Sequence, residues 1–375
     1  MTKVKRVICR SDITNFVAII NRCVGFRSIS ILHRINMDRY GPSPTGVIST
    51  VLPVELVSKI WSFMPLTDLL HYATTSSVNY NDIHNGIRNS VHQILAHFIT
   101  DTERFLMVLR EEHACISGSV VVHVLQGMCL EGGAMVEKGW FPKDVDVYVP
   151  RPEVTESDPP FVTYMITVEG YHKVSRKSLP PRIHYRAYPE VRDLVVLQKG
   201  RLRMDVIVSA SLFSLMPILR FHSTVVMNCI TGNGIWSAYP GMTCDGRGIY
   251  NSMVFAVGDI VPKMPPASVR AAYKKYALRG FDIRRCPGSW PGDDHVCTKH
   301  GSCPHTYRTA EDWSCLYVSL RSIGEDVGLG SRKGNISRDV SAEDAQVVWF
   351  LGGHSCSMGG RGLKGYVSCR EELVD

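Results

Sequence analysis

Apolar positions follow two rhythms along the chain, helical spacing before residue 100 and strand-like alternation after residue 140. Following Leu52-Pro53-Val54-Glu55-Leu56, the residues Leu56, Ile60, Phe63 and Met64 recur at the spacing of one helix face. Pro65-Leu66-Thr67-Asp68-Leu69-Leu70 opens a second short helix, and a third is expected from Ile83 to Phe98. From Ile116 the pattern becomes mixed. Cys115-Ile116-Ser117 reads as a short strand or turn, Gly118-Ser119 as the start of a helix, and Val120 to Leu130 as its apolar body. Asp144-Val145-Asp146-Val147-Tyr148-Val149 alternates as a half-buried strand should, and Pro150 ends it. Phe161 to Glu169, closed by Gly170, reads as a helix; Val191 to Gln198 and Leu202 to Ser209 read as strands of a hairpin turned by Lys199-Gly200-Arg201. Pro217 to Ile230 and Ala267 to Leu278 are expected to be helical, and the Gly-rich stretch around Gly352-Gly353 and Gly359-Gly360 carries no clear pattern.

These elements predict an α+β chain in four parts. A basic, weakly ordered extension covers 1–46, and a small helical module covers 47–100. A mixed sheet with flanking helices spans 101–280, and a loop-rich region containing Cys, His and Gly spans 281–375. The break at Gly41-Pro42-Ser43-Pro44-Thr45-Gly46 is a linker signal.

Charge changes the picture at one end only. The formal net charge is +7, but residues 1–50 hold eight Lys or Arg against Asp12 and Asp38, leaving the rest of the 375 residues close to neutral. The body is therefore not a generally basic nucleic-acid binder, whereas the head has the charge to contact RNA or an acidic surface, or to act as a mitochondrial presequence. An extension without a partner is the plainer reading. No apolar run approaches the roughly 18–20 residues that span a bilayer, so no membrane partner is expected. Twelve cysteines without a secretory pattern suggest reduced thiols and a cytoplasmic or nuclear location.

The chemistry concentrates in three acids. Residues i and i+2 of a strand share a face about 7 Å apart, so Asp144 and Asp146 stand together. Two such carboxylates raise each other's proton affinity unless a cation separates them, and Mg²⁺, a hard ion, takes one or two carboxylates plus phosphate oxygens. Asp205 is the only acid of the strand Leu202 to Ser209. If that strand pairs with the first, three carboxylates converge where two metals about 4 Å apart are held in phosphoryl-transfer sites. Gly118 permits close backbone approach, and the helix after Ser119 begins with its positive end toward an anion. Without Gly-Lys-Ser/Thr, the turn is not a Walker-type loop.

Gly-Ser and a helix, then Asp-x-Asp on a strand, then Asp on a later strand: in that order the chain resembles the DNA polymerase β-like nucleotidyltransferase superfamily. Separately, Leu52 to Asn85 resembles an F-box, with a Leu-Pro-x-Glu-Leu start, an Ile-x-x-x-Met step and Leu-x-x-Leu-Leu. A plain three-helix packing module is the other reading of that segment. A group of fungal proteins that join an F-box-like segment to such a transferase domain is similar at Ile116 to Ser119, Pro142 to Pro150, Gly200 to Ser209 and Phe221 to Asn228. The transferase resemblance implies that Asp144, Asp146 and Asp205 are catalytic Mg²⁺ ligands and that Asp205 helps deprotonate the acceptor. It also implies that Gly118 and Ser119, with Arg203 on the facing of Asp205, bind a nucleoside triphosphate. Its acceptor, RNA, protein or small molecule, is open. The F-box resemblance implies a Skp1-like adaptor as partner, and hence an alternative: a non-catalytic ubiquitin-ligase adaptor using the transferase fold for recognition. One departure from the superfamily is the length of chain between Ser119 and Asp144, where Glu131 to Gly139 reads as a loop insertion.

Other candidates carry blander alternatives. Cys286, Cys297, Cys303 and Cys315, with His300 or His305 as substitutes, have the chemistry of a structural Zn²⁺ site but lack the Cys-x2-Cys spacing of a standard finger. His222 is expected at a helix start, in a capping or core role or against phosphates. Lys199 and Arg201 read as solvated hairpin charges. Tyr273-Lys274-Lys275-Tyr276 interleaves aromatic and basic residues as RNA binders do, but an amphipathic surface helix explains it better.

Overall fold

In a computed structural model, residues 61, 64, 66–126, 140–152, 157–178, 190–254, 265–292, 296–321, 346–353 and 365–369 are described. The basic extension, the stretch Leu52 to Ile60 with Phe63, and the expected insertion at Glu131 to Gly139 lie outside the described residues. The helical rhythm becomes α1 (Leu66–Ala73) and α2 (Ser77–Leu95), followed by α3 (Thr102–Glu111). Ser76 accepts a hydrogen bond from the Asn79 N–H at the start of α2, and Asp101 does the same for Arg104 at the start of α3, each satisfying an otherwise orphaned donor. Leu66, Leu69 and Ala73 of α1 and Ile83, Ile87, Val91 and Ile94 of α2 are buried at helical spacing.

The sheet begins with β1 (Cys115–Ser117), which leads through Gly118 into α4 (Ser119–Leu125). Then come β2 (Asp144–Val149), α5 (Pro160–Thr167), β3 (His172–Ser178), β4 (Val191–Lys199) and β5 (Leu202–Ser209). The order is β11-β7-β6-β1-β2-β5-β4-β3, with β6 at Asn228–Thr231, β7 at Gly234–Ser237 and β11 at Leu316–Ser319. β2 and β5 run parallel; the other pairings in this sheet are antiparallel. Gly200 turns the β4–β5 hairpin at φ 60°, a backbone state that costs glycine least.

Period-two alternation assigns the two faces. Val145, Val147 and Val149 of β2 and Met204, Val206 and Val208 of β5 pack in one cluster with α1, α2, α3 and α5. The N-terminal helices thus share the core of the sheet. Glu169, just after α5, reinforces the join by accepting the backbone N–H groups of Thr100 (2.8 Å) and Asp101 (3.3 Å). On the opposite face, Tyr148 and Ile207 pack with α6 (Met216–Leu219) and with a second, three-stranded sheet of β10 (Arg308–Thr309), β12 (Val347–Phe350) and β13 (Tyr366–Cys369). The buried guanidinium of Arg308 ties these parts together: it pairs with Asp312, donates to the Ala238 carbonyl at 3.0 Å and lies over the rings of Tyr239 and Trp349. α7 (Pro240–Cys244), β8 (Arg247–Ile249), α8 (Ala267–Leu278) and β9 (Asp282–Arg284) complete the described elements, with β8 and β9 in a parallel pair of their own.

One helix expectation fails. Pro217 to Ile230 forms α6, a 3₁₀ turn at Thr224–Val226 and strand β6. Nearly every residue of this stretch is buried, so no exposed face marks a helical period. The β-branched run Thr224-Val225-Val226 also disfavours continuing one. The side chain of Asn228 holds the change of direction, donating to the Val225 carbonyl at 2.8 Å and accepting from the Ser237 hydroxyl at 2.5 Å. Strand β3 also escapes the pattern, because as an edge strand it exposes both faces and carries charge on them.

Candidate active site

The parallel pairing of β2 with β5 brings the three acids onto one face. Asp146 is in direct register with Asp205, and Asp144 with Arg203. On the other side of β2, Ser117 is in register with Asp146. Neighbouring strands lie about 4.8 Å apart, so Asp146 occupies the middle of a polar row running from Ser117 to Asp205. It is here that charge is least tolerable. Burial, then Asp144, then Asp205 raise the proton affinity of Asp146 to a pKa of about 7, against partial relief from Lys275 and Arg203. The residue keeps some solvent contact, yet enclosure by protein remains the largest effect on its carboxyl.

Asp205 is held differently. Arg203, two residues earlier on the same face, donates to both of its oxygens, Nε to Oδ1 at 2.8 Å and Nη2 to Oδ2 at 2.9 Å. The Arg203 side chain is 54% exposed while that of Asp205 is 17% exposed, so the fork reaches in from solvent and can leave without unpacking anything.

Gly118 and Ser119 lie where the expectation put them, between β1 and α4, but both are buried. Gly118 takes φ 70° and ψ −142°, and a Cβ built on it would fall far inside contact distance of Asp146 Oδ2. The backbone conformation thus requires glycine, and the Asp146 carboxylate takes the space that a β-carbon would fill. The Ser119 hydroxyl is buried and has no hydrogen-bond partner. An enclosed hydroxyl without a partner costs free energy, and this one follows directly on the glycine that touches Asp146.

Beyond Arg203, the cationic side of the site was not assigned from sequence. Helix α8 carries Lys275 and Tyr276 in its last turn, and Arg279 follows at its cap. Lys275 acts electrostatically on Asp146, and Asp144 acts on Arg279. Tyr276 is buried and its proton affinity is raised, by burial first and then, against Arg279, by Asp146 and Asp144. The stretch Tyr273 to Tyr276, expected to be an ordinary amphipathic surface helix, therefore borders the acid row. His222 stands under it, with ring contacts to Tyr273 at 5.3 Å and Tyr276 at 5.6 Å. Burial, then Lys275, lower its pKa to about 4, which leaves a neutral imidazole at physiological pH. It precedes the 3₁₀ turn rather than starting a helix.

The remaining candidates are dispersed. Lys199 donates to the Thr100 hydroxyl at 3.0 Å and lies 3.9 Å from Glu169, so it belongs to the join below the sheet. Cys286 contacts the Ser289 hydroxyl, Cys303 accepts from the Thr298 N–H, and Cys315 receives Arg308 and faces the Thr309 carbonyl. Burial pushes the Cys315 thiol up to about 12. Among the described residues no three His, Cys, Asp or Glu side chains gather as a metal-holding group: the four cysteines are not brought together, and the acid row, with Asp205 turned to Arg203, does not present its three carboxylates as one ready-made set.

The acid row itself fits a divalent cation in its donor chemistry, since hard carboxylates crowd until one of them, Asp146, retains its proton near neutrality. Asp144 and Asp146 suit Mg²⁺ as two ligands. Asp205 joins them only when Arg203 lets go. No protein-family model, no curated protein and no solved structure matches the chain.

Proposed function

We propose that the chain is a Mg²⁺-dependent nucleotidyltransferase of the DNA polymerase β-like kind, transferring a nucleoside monophosphate to an acceptor hydroxyl. The observation that carries this reading is the placement of Asp144, Asp146 and Asp205 on one face across a parallel strand pair, with Asp146 pressed against Gly118. Bound Mg²⁺, held by Asp144 and Asp146 and joined by Asp205, would supply charge neutralisation to the phosphate oxygens and to the attacking oxygen. In the transfer, the acceptor oxygen bonds to the α-phosphorus, the bridging bond to the β-phosphate breaks, and pyrophosphate leaves with its electron pair. The acceptor proton passes to the Asp205 carboxylate. Arg203, the more exposed partner of its pair, leaves Asp205 and turns to the phosphates, and the Ser119 hydroxyl is a donor still without an acceptor.

Thermal unfolding with nucleoside triphosphates, with and without Mg²⁺, tests the reading. The wild-type chain is expected to melt higher with both together, and Asp144→Asn/Asp146→Asn to lose that gain. An identical response from the two proteins would remove the basis for transfer chemistry.

A further inference from the structure

Positive charge near the acid row is scarce, and most of it is committed. Arg203 holds Asp205 and reaches the phosphates only once it has released that carboxylate, and Lys199 is engaged with Thr100 and Glu169. Arg279 is only partly engaged: its side chain hydrogen-bonds that of Tyr276 and interacts with the Asp144 charge. Its guanidinium lies 3.9 Å from the ring centroid of Trp140 and 5.2 Å from that of Tyr276. Two aromatic surfaces thus hold a cation that would otherwise sweep through solvent. Its Nη1 is enclosed and has no hydrogen-bond partner. A charged donor shut away from water without an acceptor is costly, and such a group is complementary to an anion that arrives later.

Position narrows the anion. Trp140 precedes Asp144 by four residues, and it packs with Tyr276, Phe281 and Val122 of α4 in one cluster, so the ring that steadies Arg279 is fixed beside the helix that is entered through Gly118. Lys275, four residues before Arg279, shares its side of the helix end. It is exposed, and its ammonium lies 5.7 Å from the Tyr276 ring centroid. One half-buried guanidinium and one exposed ammonium, beside carboxylates that a metal would neutralise, suit a chain of phosphates better than a single carboxylate.

We propose that Arg279, fixed between Trp140 and Tyr276 and assisted by Lys275, holds the β- and γ-phosphates of the incoming nucleoside triphosphate; the proposal rests on the transfer reading of Asp144, Asp146 and Asp205. The arm engages the part of the substrate that leaves as pyrophosphate. It therefore selects triphosphates over monophosphates and does not read the base.

The test is titration calorimetry on the full chain with Mg²⁺, using inorganic pyrophosphate, the α,β-methylene analogues of ATP, GTP, CTP and UTP, and AMP. Arg279→Gln is expected to weaken pyrophosphate and the bound analogue at least tenfold while changing AMP less than threefold. Arg279→Lys is expected to recover part of the loss. Lys275→Gln, an exposed change that leaves the core untouched, is expected to weaken the same two probes at least threefold, and it keeps the test open if Arg279→Gln does not fold. Wild-type affinity retained in Arg279→Gln, or in Lys275→Gln when that is the variant that can be read, overturns the arm and leaves the transfer reading standing. A wild-type chain that binds none of the analogues sinks the transfer reading, and the arm with it.

Discussion

Replacing Asp146 by Asn should stabilise the metal-free protein at alkaline pH and leave it nearly unchanged at pH below the ordinary carboxylate range. Asp146 ionises at about 7 in the folded chain, against an ordinary value of 3.8. The folded state therefore holds a proton that the unfolded state has released between these values. Stability is lost as pH rises through this window, and the loss is complete above the folded value. At ~1.4 kcal/mol per pKa unit, the ceiling is about 4 kcal/mol. Because the residue keeps some solvent contact, roughly 1–3 kcal/mol is the expected size. An Asn cannot ionise, so the variant escapes the loss.

His222 complicates the raw curve. Its pKa is lowered to about 4, so it contributes stability that grows as pH rises from about 4 to the ordinary imidazole value near 6.5. The two groups oppose each other across most of the window, and only the difference between wild type and Asp146→Asn isolates the carboxylate. Urea unfolding in chelator at pH 5, 6, 7 and 8 measures it. The difference should favour the variant already at pH 5, by somewhat over a third of its final size, and grow to about 1–3 kcal/mol at pH 8. Mg²⁺ at pH 8 should then return the loss to wild type and do nothing for the variant. A difference that stays constant from pH 5 to 8 would show that Asp146 does not ionise against its neighbours, and the crowded-acid account would be wrong.

Two further substitutions separate site from scaffold. Gly118→Ala introduces a β-carbon at φ 70° and ψ −142°, a strain of ~1–3 kcal/mol, and drives the Asp146 carboxylate from its place. Because that carboxylate can rotate, the melting temperature should fall only slightly while the response to Mg²⁺ with triphosphate disappears; a preserved response would mean that the contact is incidental. Leu69→Ala empties a fully buried position shared by α1 and the sheet, and about 2–5 kcal/mol should be lost in urea unfolding. A loss under 1 kcal/mol would mean that α1 can detach from the core.

How much of this was legible in the sequence depends on whether an element signals its own surroundings. Strand β2 did: its alternation and Pro150 set the bounds Asp144–Val149, and the same alternation put Asp144 and Asp146 on one face. Asp205 required the pairing of β2 with β5, a contact between strands more than fifty residues apart, and sequence could state it only as a condition. The turn at Gly118 was seen as a phosphate-facing one, but glycine signals only that something comes close. The structure shows that what comes close is Asp146. The cationic side shows the limit most clearly. Helix α8 was bounded correctly at Ala267 and Leu278, yet an amphipathic helix with Lys275 and Arg279 near its end looks the same whether it faces water or a row of acids. Its charges acquire a role only because Tyr276 and Phe281 dock beside Val122 and Trp140, and those apolar contacts leave no periodic trace. A helix can be read from its own residues; the anion it awaits can be read only from what it packs against.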